Sequence, residues 1–341
     1  MAKLLGVNTN GIDNVVNMLV KHQSISNNVF VDVLDTNKND NFSSFLRFRD
    51  FDLIIFHSIF CFKTWLCILF CLSYSIPYVI VPHSGLTKAS FKKSKVKKEA
   101  VMWLFLKKLI YKSAAVHFLN LDEKNNSYEY YSNSFIIPNG VCVPDIQIEK
   151  KLDKRYLAFL GRYDINHKGI DILLSAVNVL KSELRYNNVT LRMHGHDKNS
   201  HSIEYIKKYI ENNNLSDLVV LKGPIIDNDE KVKYLTNASA YILTSRYEGF
   251  PITVLEALSV DVPCLVTKET NVSQLIENNN FGLTCFANVE SVVDMLRTYL
   301  KNSTVGSAFS PSRDYVVDNY SWAVIGTKLL TEYEKVIHRE K

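Results

Sequence analysis

Features that would assign this sequence to several broad classes of protein are missing. The chain has no internal repeat and no low-complexity tract, so we do not expect a fibrous or disordered protein. Its six cysteines include no Cys-x-x-Cys pair, and a chain of 341 residues does not need a disulfide framework. We therefore expect the cysteines to be buried thiols of a cytosolic protein.

A secretory signal and a membrane-spanning run are missing as well. The first residues, Met-Ala-Lys-Leu-Leu-Gly, lead into a polar Asn-Thr-Asn-Gly turn without the apolar core and cleavage site of a signal peptide. Residues 53–81 are mostly apolar, but polar side chains and Pro77 divide them into pieces shorter than the roughly 20 residues of a spanning helix. We expect a cytoplasmic protein in which this stretch forms a strand, a helix and a strand.

Positive charge is concentrated in one segment. The formal net charge is +5, but Lys88–Lys112 contains nine lysines and a single acid, Glu99. This segment therefore carries +8 and the remainder of the chain −3. Because the positive charge is confined to one segment, we expect a local anionic partner and no nucleic-acid partner. With the apolar block Val101–Leu106, the segment has the character of a basic amphipathic element that binds an anionic membrane surface. The alternative is a packed helix whose lysines are only solvated.

The length of the chain and its alternating pattern predict two domains of the same architecture. Short β-branched and aromatic runs alternate with helical patterns, as in a parallel sheet wrapped by helices. We predict an α/β protein with two Rossmann-like domains facing each other across a cleft, at residues 1–150 and 151–319, and a long closing helix at residues 320–341. The helices before residue 130 are expected to begin near Asp13, Lys63, Lys93 and Asp122. The predicted strands are Lys3–Asn8, Val29–Asp35, Asp52–His57, Tyr78–Pro82, Ala115–Leu119, Ser134–Ile137, Tyr156–Leu160, Val189–His194, Leu218–Lys222, Ala240–Thr244 and Pro263–Val266.

The most informative segment runs from Leu243 to Ala257. A strand ends there, Gly249 permits a tight turn, and Pro251 suits the first position of a helix. Ligands of open α/β sheets bind at the carboxyl ends of strands, where the free N–H groups of a helix N-terminus favour phosphate. Glu248 before the helix and Glu256 inside it can only accept hydrogen bonds, so the pair suits sugar hydroxyls. The alternative for either glutamate alone is a solvated carboxylate that complements the helix dipole.

A second segment, from Phe159 to Ile170, places two cations after another strand. Arg162 offers a planar fork for phosphate oxygens and Lys168 a mobile point charge, and both are next to glycines. Together they are suited to neutralising a departing diphosphate without a metal. The weaker candidates are Gly11, after the first strand, and His83, after the strand that ends at Pro82. A single glycine is usually a turn former and a lone histidine is usually structural, and the chain has no Gly-x-Gly-x-x-Gly.

Two patterns suggest a metal but fit simpler interpretations. Asp227-Asn-Asp229 resembles the aspartate pair of metal-dependent transferases, but Asp227 with Glu230 three residues later is typical of a capping box at a helix N-terminus. His194, His196 and His201 lack a cysteine or a clear fourth ligand nearby, which does not match a zinc site. We therefore predict no metal.

These motifs together resemble family 4 glycosyltransferases. Glu248-x7-Glu256 is similar to the EX7E signature of that family. Three further segments resemble, in order, its acceptor-lobe histidine loop, the end of its first lobe and its diphosphate loop: Pro82-His83, Pro138-Asn-Gly-Val141, and Gly161-Arg162 with His167-Lys168-Gly169. The resemblance covers about residues 80–285. Two positions depart from the family pattern: Ser84 separates His83 from Gly85, and Asp261 stands where glycine is usual.

The resemblance implies a GT-B fold and metal-independent, cofactor-free hexosyl transfer from a nucleotide-diphosphate sugar with retention of configuration. It implies donor-sugar contact for Glu248, ribose contact for Glu256, and diphosphate contact for Arg162 and Lys168. The residues it assigns to catalysis are Glu248, Arg162, Lys168 and His83. The residues it assigns to substrate binding are Gly11, whose backbone would meet the distal phosphate, Glu248, Gly249, Phe250, Pro251, Ile252, Thr253, Val254 and Glu256.

By the same resemblance, the first domain takes a glycan or polyprenyl-linked acceptor, and the pathway is surface-polysaccharide synthesis of the O-antigen, lipopolysaccharide or capsule type. The basic segment Lys88–Lys112 would then hold a cytoplasmic protein peripherally on the inner face of the cell membrane. Two alternatives remain. One is a nucleotide-sugar epimerase of the same shape, which needs no acceptor. The other is a catalytically silent adaptor that binds membrane or nucleic acid through the basic segment.

Overall fold

The computed structural model describes most of the chain, in several stretches. These are residues 2–8, 13–23, 29–35, 46–88, 90, 105–144, 155–197, 201–302 and 309–340. The chain divides into two units, one formed by Met1–Gly140 with Tyr320–Lys341 and the other by Val141–Asn319. The predicted boundary after residue 150 falls among residues 145–154, outside the described residues.

The first unit is built on a six-stranded sheet in the order β2-β1-β3-β4-β5-β6. All its described pairings are parallel. Its strands are β1 Ala2–Asn8, β2 Val29–Asp35, β3 Leu53–His57, β4 Tyr78–Val81, β5 Ala115–Phe118 and β6 Ser134–Ile136. The strand order reverses between β1 and β3, which are neighbours in the sheet. The strand after β1 is added on one side of this pair, and the strands after β3 are added on the other side.

The second unit repeats this design with the sheet order β12-β11-β10-β7-β8-β9. The pairings described here are parallel too. Its strands are β7 Arg155–Leu160, β8 Val189–His194, β9 Val219–Lys222, β10 Ala240–Leu243, β11 Cys264–Thr267 and β12 Gly282–Cys285. The order reverses between β7 and β10. Two Rossmann-like sheets confirm the predicted α/β class.

Helices lie between the strands and after them in the chain. In the first unit the described helices are α1 Asp13–Gln23, α2 Phe62–Ser73, α3 Lys107–Tyr111, α4 Leu121–Asn125 and α13 Trp322–Glu340. In the second unit they are α5 Ile170–Val179, α6 Lys181–Tyr186, α7 His201–Asn212, α8 Asn228–Thr236, α9 Ile252–Leu258, α10 Ser273–Asn278, α11 Val289–Asn302 and α12 Arg313–Tyr320. Short 3₁₀ turns cover Arg47–Asp50 and Lys268–Thr270. The helix predicted near Lys93 falls outside the described residues.

The central strands are apolar runs because both of their faces are covered. Every residue of β3, β4, β10 and β11 is buried. Such continuous runs are typical of parallel sheets packed between two layers of helices. The edge strands β6 and β9 are less buried, as expected where one side has no neighbouring strand.

The C-terminal helix α13 belongs to the first unit. It packs against α1, more than 290 residues earlier in the chain, and Gly140 lies against the ring of Trp322 at its start. A Cβ atom at Gly140 would come within 2.6 Å of that ring, so a larger residue there would displace the helix. The predicted long closing helix is thus confirmed.

The structure tests the expectations that the cysteines are buried and that the chain has no membrane-spanning helix. Cys67, Cys71, Cys264 and Cys285 are buried thiols, as expected. Cys61 is only partly buried and Cys142 is exposed, so the expectation was wrong for these two. No helix among the described residues combines the length and apolar character needed to cross a bilayer.

Candidate active site

The site of the second unit lies where the strand order of its sheet reverses. Ligands of open parallel sheets bind beyond the carboxyl ends of strands at such a point, because the loops there diverge and leave a crevice. β7 ends at Leu160 and β10 at Leu243, and the two strands are hydrogen-bonded neighbours. The loops that follow them carry the predicted residues Arg162, Lys168 and Glu248. Sheet topology therefore brings together residues that are about 80 positions apart in the chain.

A close backbone contact joins these two loops. Gly169 precedes α5 with φ of 59°, in the left-handed region that favours glycine. A Cβ atom there would lie 2.0 Å from the carbonyl oxygen of Thr244, so the contact requires glycine. The buried hydroxyl of Thr244 donates to the carbonyl of Gly169 at 3.0 Å. This contact fixes the position of Lys168 relative to the loop after β10.

Lys168 and Glu248 form an ion pair inside the site. The Nζ of Lys168 lies 2.6 Å from Oε1 of Glu248, and their side chains are only 15% and 10% exposed. The hydroxyl of Ser245 donates to the same oxygen at 2.5 Å. Glu248 is therefore a held carboxylate and not a solvated one. Cε of Lys168 lies 3.6 Å from the ideal Cβ position of Gly161, an ordinary van der Waals distance.

The backbone of Glu248 is held by residues that the sequence did not single out. Its N–H donates to the carbonyl of Glu269 at 3.2 Å, and the Asn271 amide donates to its carbonyl at 2.6 Å. Asn271 has φ of 62°, a conformation that asparagine tolerates better than most residues. These partners follow β11, the neighbour of β10. No local pattern predicts them, because their role depends on strand adjacency.

Arg162 belongs to a cluster around His167. Its guanidinium donates to Asp164 at 3.2 Å and lies 3.2 Å from Nδ1 of His167. The His167 ring stacks on Tyr247 with 4.2 Å between centroids, and its Nε2 is 3.9 Å from Glu248. Burial lowers the pKa of His167, an effect that the nearby carboxylate of Glu248 opposes. A neutral imidazole here leaves the positive charge of the site to Arg162 and Lys168.

Glu256 has its own lysine partner. It lies on α9 with a side chain 18% exposed, and its Oε1 is 2.6 Å from Nζ of Lys231 on α8, a side chain 25% exposed. Lys231 was missed because nothing in the sequence separates it from the other lysines of that helix. Pro251, predicted at the first helical position, lies one residue earlier as the N-cap, with φ of −77° and ψ of 97°. The helix begins at Ile252 because ψ at Pro251 is extended.

The remaining predicted substrate-binding residues lie along the same turn. The hydroxyl of Tyr241 donates to Thr253 at 2.8 Å, which attaches the start of α9 to β10. Val254 is fully buried in the core. Any contact of Val254 with a substrate would have to come from its backbone. Gly249, Phe250 and Ile252 are partly buried beside it. The predicted Gly11 lies outside the described residues.

His83 is partly buried and belongs to a group of histidines in the first unit that includes the buried His57 and His117. Its Nε2 is 3.1 Å from Nδ1 of His57, and the rings stack with centroids 5.4 Å apart. His57 ends β3, His83 follows β4 and His117 lies within β5, and these three strands are neighbours in the sheet. Burial lowers the pKa of His83 to about 3, that of His117 to about 4, and that of His57 well below its usual 6.5. The sequence indicated only His83.

The turn that carries His83 is strained. His83 has φ of 47° and Ser84 φ of 62°, both in the left-handed region. The buried carboxylate of Glu123 accepts a hydrogen bond from the Ser84 N–H and another from the Leu119 N–H at 2.7 Å. Burial raises the pKa of Glu123. The extra residue Ser84 between His83 and Gly85 is thus held by a specific partner.

The metal-like patterns have other partners. Asp227 is the N-cap of α8 and accepts from the Glu230 N–H at 2.8 Å, as the capping-box interpretation predicted. His194 bonds the carbonyl of Gly223 at 3.0 Å and lies edge-on to Tyr234. In the described part of the chain, no three His, Cys, Asp or Glu side chains converge as a metal site would require.

The chain is similar to known glycosyltransferases in sequence and in fold. It is 24% identical over 214 residues to phosphatidyl-myo-inositol mannosyltransferase of Mycobacterium leprae, which covers 60% of this chain and 54% of that protein. It is 24% identical over 180 residues to mannosylfructose-phosphate synthase of Agrobacterium fabrum, covering 51% and 39%. The chain thus spans about half the length, or less, of these curated relatives.

Solved structures share the fold over the whole chain. Sucrose-phosphate synthase from Thermosynechococcus elongatus superimposes with a TM-score of 0.79 at 14% identity, covering 99% of this chain and all of that one. HepE from Anabaena, crystallised with UDP and glucose, gives 0.76 at 13% identity over 98% and 100%. At such identities the likeness shows the fold alone, which is GT-B. The family of group 1 glycosyl transferases matches residues 145–318, just over half of the chain. This span contains the loops after β7 and β10 and both lysine–glutamate pairs, and the chain belongs to that family.

Proposed function

We propose that this protein is a retaining glycosyltransferase of family 4, which moves a hexose from a nucleotide-diphosphate sugar to a glycan or lipid-linked glycan without a metal or other cofactor. The observation that carries the proposal is the half-buried pair Lys168–Glu248 at the reversal point of the second sheet. A cation and a carboxylate held side by side suit a diphosphate and a hydroxyl-bearing sugar that are bonded to each other. Family membership and the GT-B fold support this assignment.

The proposed roles follow from the chemistry of each side chain. Glu248 accepts hydrogen bonds from hydroxyls of the donor sugar and Glu256 from hydroxyls of the ribose. Lys168 and Arg162 neutralise the diphosphate. In the structure both cations already lie among acceptors, at 2.6 Å from Glu248 and 3.2 Å from Asp164. They are therefore oriented before a donor arrives, and such preorganised charges stabilise a transition state more than mobile ones do.

The proposed reaction is a front-face displacement. The bond between the anomeric carbon and the diphosphate oxygen breaks, and its electrons go to the leaving diphosphate. The acceptor hydroxyl attacks the same face of the sugar and passes its proton to a diphosphate oxygen. Arg162 and Lys168 stabilise the negative charge that develops on the leaving diphosphate. No enzyme nucleophile is required, and His83 is assigned to the acceptor side.

The relatives suggest which donors to test first. The structure of HepE holds UDP and glucose, and the mycobacterial relative is named a mannosyltransferase. UDP-glucose and GDP-mannose are therefore the first donors to assay. We expect one of them to raise the melting temperature, because a ligand that binds only the native state stabilises it by mass action. The same donor should be slowly hydrolysed without acceptor, and NMR should show the released sugar first in the anomeric configuration of the donor.

Two substitutions test the site and two test for non-specific effects. Lys168→Met and Glu248→Gln should lower kcat of donor hydrolysis by about 100- to 1,000-fold. Lys208→Met and Asp217→Asn alter exposed ion pairs of the same unit and should leave it unchanged. Near-wild-type turnover in Lys168→Met would exclude this site. Conversion of the donor to its epimer, with no transfer or hydrolysis, would show that the protein is an isomerase.

The acceptor and the membrane association are proposed on the basic segment and the family resemblance. We propose a polyprenyl-linked acceptor in O-antigen or capsule-type synthesis, with the protein peripheral on the inner face of the cell membrane. Lys88, Lys107, Lys108 and Lys112 are exposed, while residues 91–104 of the segment lie outside the described residues. Lysines near an anionic bilayer each contribute about 1 kcal/mol to binding. Sedimentation with vesicles containing phosphatidylglycerol should deplete the protein at low salt, and no depletion would refute the association.

A further inference from the structure

The pair Lys231–Glu256 differs from the surface ion pairs of the molecule. Among the described residues, only this pair and Lys168–Glu248 join a lysine to a carboxylate with both side chains no more than 25% exposed. The exposed pairs Lys208–Glu204 and Lys335–Glu332 link neighbouring turns of single helices. By contrast, Lys231 and Glu256 come from two different helices, α8 and α9. The pair therefore depends on tertiary structure, as an arranged site does.

The helix that carries Lys231 is fixed at its start. Asp227 caps α8, and Lys231 is the residue whose N–H closes the first turn onto the carbonyl of Asp227 at 3.1 Å. Next along the helix, Tyr234 is buried and donates to the carbonyl of Arg192 at 2.6 Å. Because both ends of this turn are held, the Lys231 side chain extends from a rigid base toward α9.

The contact uses one side of the Glu256 carboxylate. Nζ of Lys231 bonds Oε1 at 2.6 Å, and within the described residues no group donates a hydrogen bond to Oε2. A carboxylate has about four acceptor positions, so three remain for hydroxyl donors. Both side chains also line a cavity of about 480 Å³. The carboxylate is thus held on one oxygen and available on the other.

We propose that Lys231 is a positioning residue of the donor site, which holds the Glu256 carboxylate so that Oε2 accepts hydrogen bonds from the 2′- and 3′-hydroxyls of a ribonucleotide. The inference rests on the proposed function, since it deepens the role of Glu256 there. It makes Lys231 a determinant of the preference for ribose over deoxyribose. A half-buried carboxylate near a diphosphate would otherwise repel it, and the lysine also offsets that charge.

The test compares ribonucleotides with their 2′-deoxy counterparts. Calorimetric titration of the wild-type protein with UDP, GDP and ADP, and with the 2′-deoxy form of each, identifies the nucleotide that binds and its ribose preference. Loss of a hydrogen bond to a charged group corresponds to about a ten- to hundredfold weaker Kd. We expect that factor between the ribo and deoxy forms in the wild type. In Lys231→Met the ratio should fall to near one, and Lys231→Arg should restore most of it.

Further variants separate positioning from a general effect on folding. Lys208→Met, at an exposed pair on α7, should keep the wild-type ratio. Glu256→Gln should lower the ratio by itself, and the double variant Lys231→Met/Glu256→Gln should lower it no further, because both changes act on one interaction. If Lys231→Met does not fold, the comparison of Lys231→Arg with Lys231→Gln decides: retention of the ratio in the glutamine variant overturns the proposal.

The outcomes distinguish this inference from the proposed function. If the wild type binds none of the three nucleotides, the proposed donor site fails as a whole. If the wild type prefers ribose and Lys231→Met keeps that preference, or weakens ribo and deoxy forms equally, only the role of Lys231 is refuted. Tighter binding by Lys231→Met would also refute it, since the lysine would then obstruct the site.

Discussion

Acidification should destabilise the first unit through three histidines whose pKa values are lowered in the folded state. His57, His83 and His117 are held neutral in the native structure because burial lowers the pKa of each ring. The buried Nδ1 of His117 has no hydrogen-bond partner among the described residues, while its Nε2 bonds the carbonyl of Ile137 at 2.7 Å. A proton added to this ring would therefore be poorly solvated. In the unfolded chain the same rings are exposed to water and protonate readily.

The sign and size of the effect follow from proton linkage. Each histidine has a pKa near 6.5 when unfolded and a lower one when folded, so below pH 6.5 the unfolded state binds more protons. The contribution of each histidine to the free energy of unfolding is complete above pH 6.5. It decreases as the pH is lowered, until the pH reaches the folded pKa of about 4 for His117 and about 3 for His83. Lowering the pH from about 7.5 to about 5.5 should cost between about 1 and 2 kcal/mol per histidine, or about 4 kcal/mol in all.

Tryptophan fluorescence reports on this unit selectively. All three tryptophans, Trp65, Trp103 and Trp322, fall within the residue ranges of the first unit. Urea unfolding followed by their emission at both pH values gives the change in unfolding free energy. The variant His117→Phe should reduce that change by about one third, and His338→Phe, at an exposed position of α13, controls for loss of a histidine elsewhere. An equal pH dependence in His117→Phe and wild type would refute the argument.

Four substitutions at three positions of the second unit test its local geometry, by calorimetry because no tryptophan lies there. Gly169→Ala should cost about 2 kcal/mol or more, since a left-handed Cβ alone costs roughly 1–2 kcal/mol and this one would meet the carbonyl of Thr244. Asp227→Ala should cost about 1 kcal/mol by removing the N-cap of α8. Asp261 has φ of 56° and accepts from the Ser312 and Arg313 N–H groups at the start of α12. Both Asp261→Gly and Asp261→Ala lose this cap, but the glycine variant should be about 1 kcal/mol more stable because only it tolerates the backbone conformation.

The strands of the fold were predictable because each is a local pattern. All eleven predicted strands are present, each within one residue at either end. Buried parallel strands are continuous apolar runs between turn residues, and that pattern is visible in the sequence. The strand β12, Gly282–Cys285, was missed. It is short, contains no valine or isoleucine, and begins at a glycine with φ of 156° whose absent Cβ lets it approach the carbonyl of Cys264.

The positions of the candidate site residues were also local, but their partners were not. Glu248 and Lys168 stand out because each lies in a loop after a strand and is directly followed by a glycine, which is a pattern of a few residues. Their pairing depends on β7 and β10 being neighbours, and that adjacency is set by the reversal of strand order. Asn271 and Lys231 contact the glutamates from the loop after β11 and from α8. Neither residue is distinguished by its sequence neighbours, so only the packed structure identifies it.

In the proposed donor site, two lysine–glutamate pairs allow acids and an anion to be held together. A carboxylate alone repels phosphate, but each glutamate here is neutralised by a lysine at 2.6 Å. Removing a lysine therefore has two effects: it removes an attraction for the diphosphate, and it leaves a half-buried carboxylate uncompensated. Changing the glutamate to glutamine weakens the acceptor for sugar hydroxyls and also removes a charge that repels the diphosphate. The two changes therefore have opposite effects on donor affinity. In the Lys168–Glu248 pair, diphosphate affinity should consequently depend more on the lysine and sugar selectivity more on the glutamate.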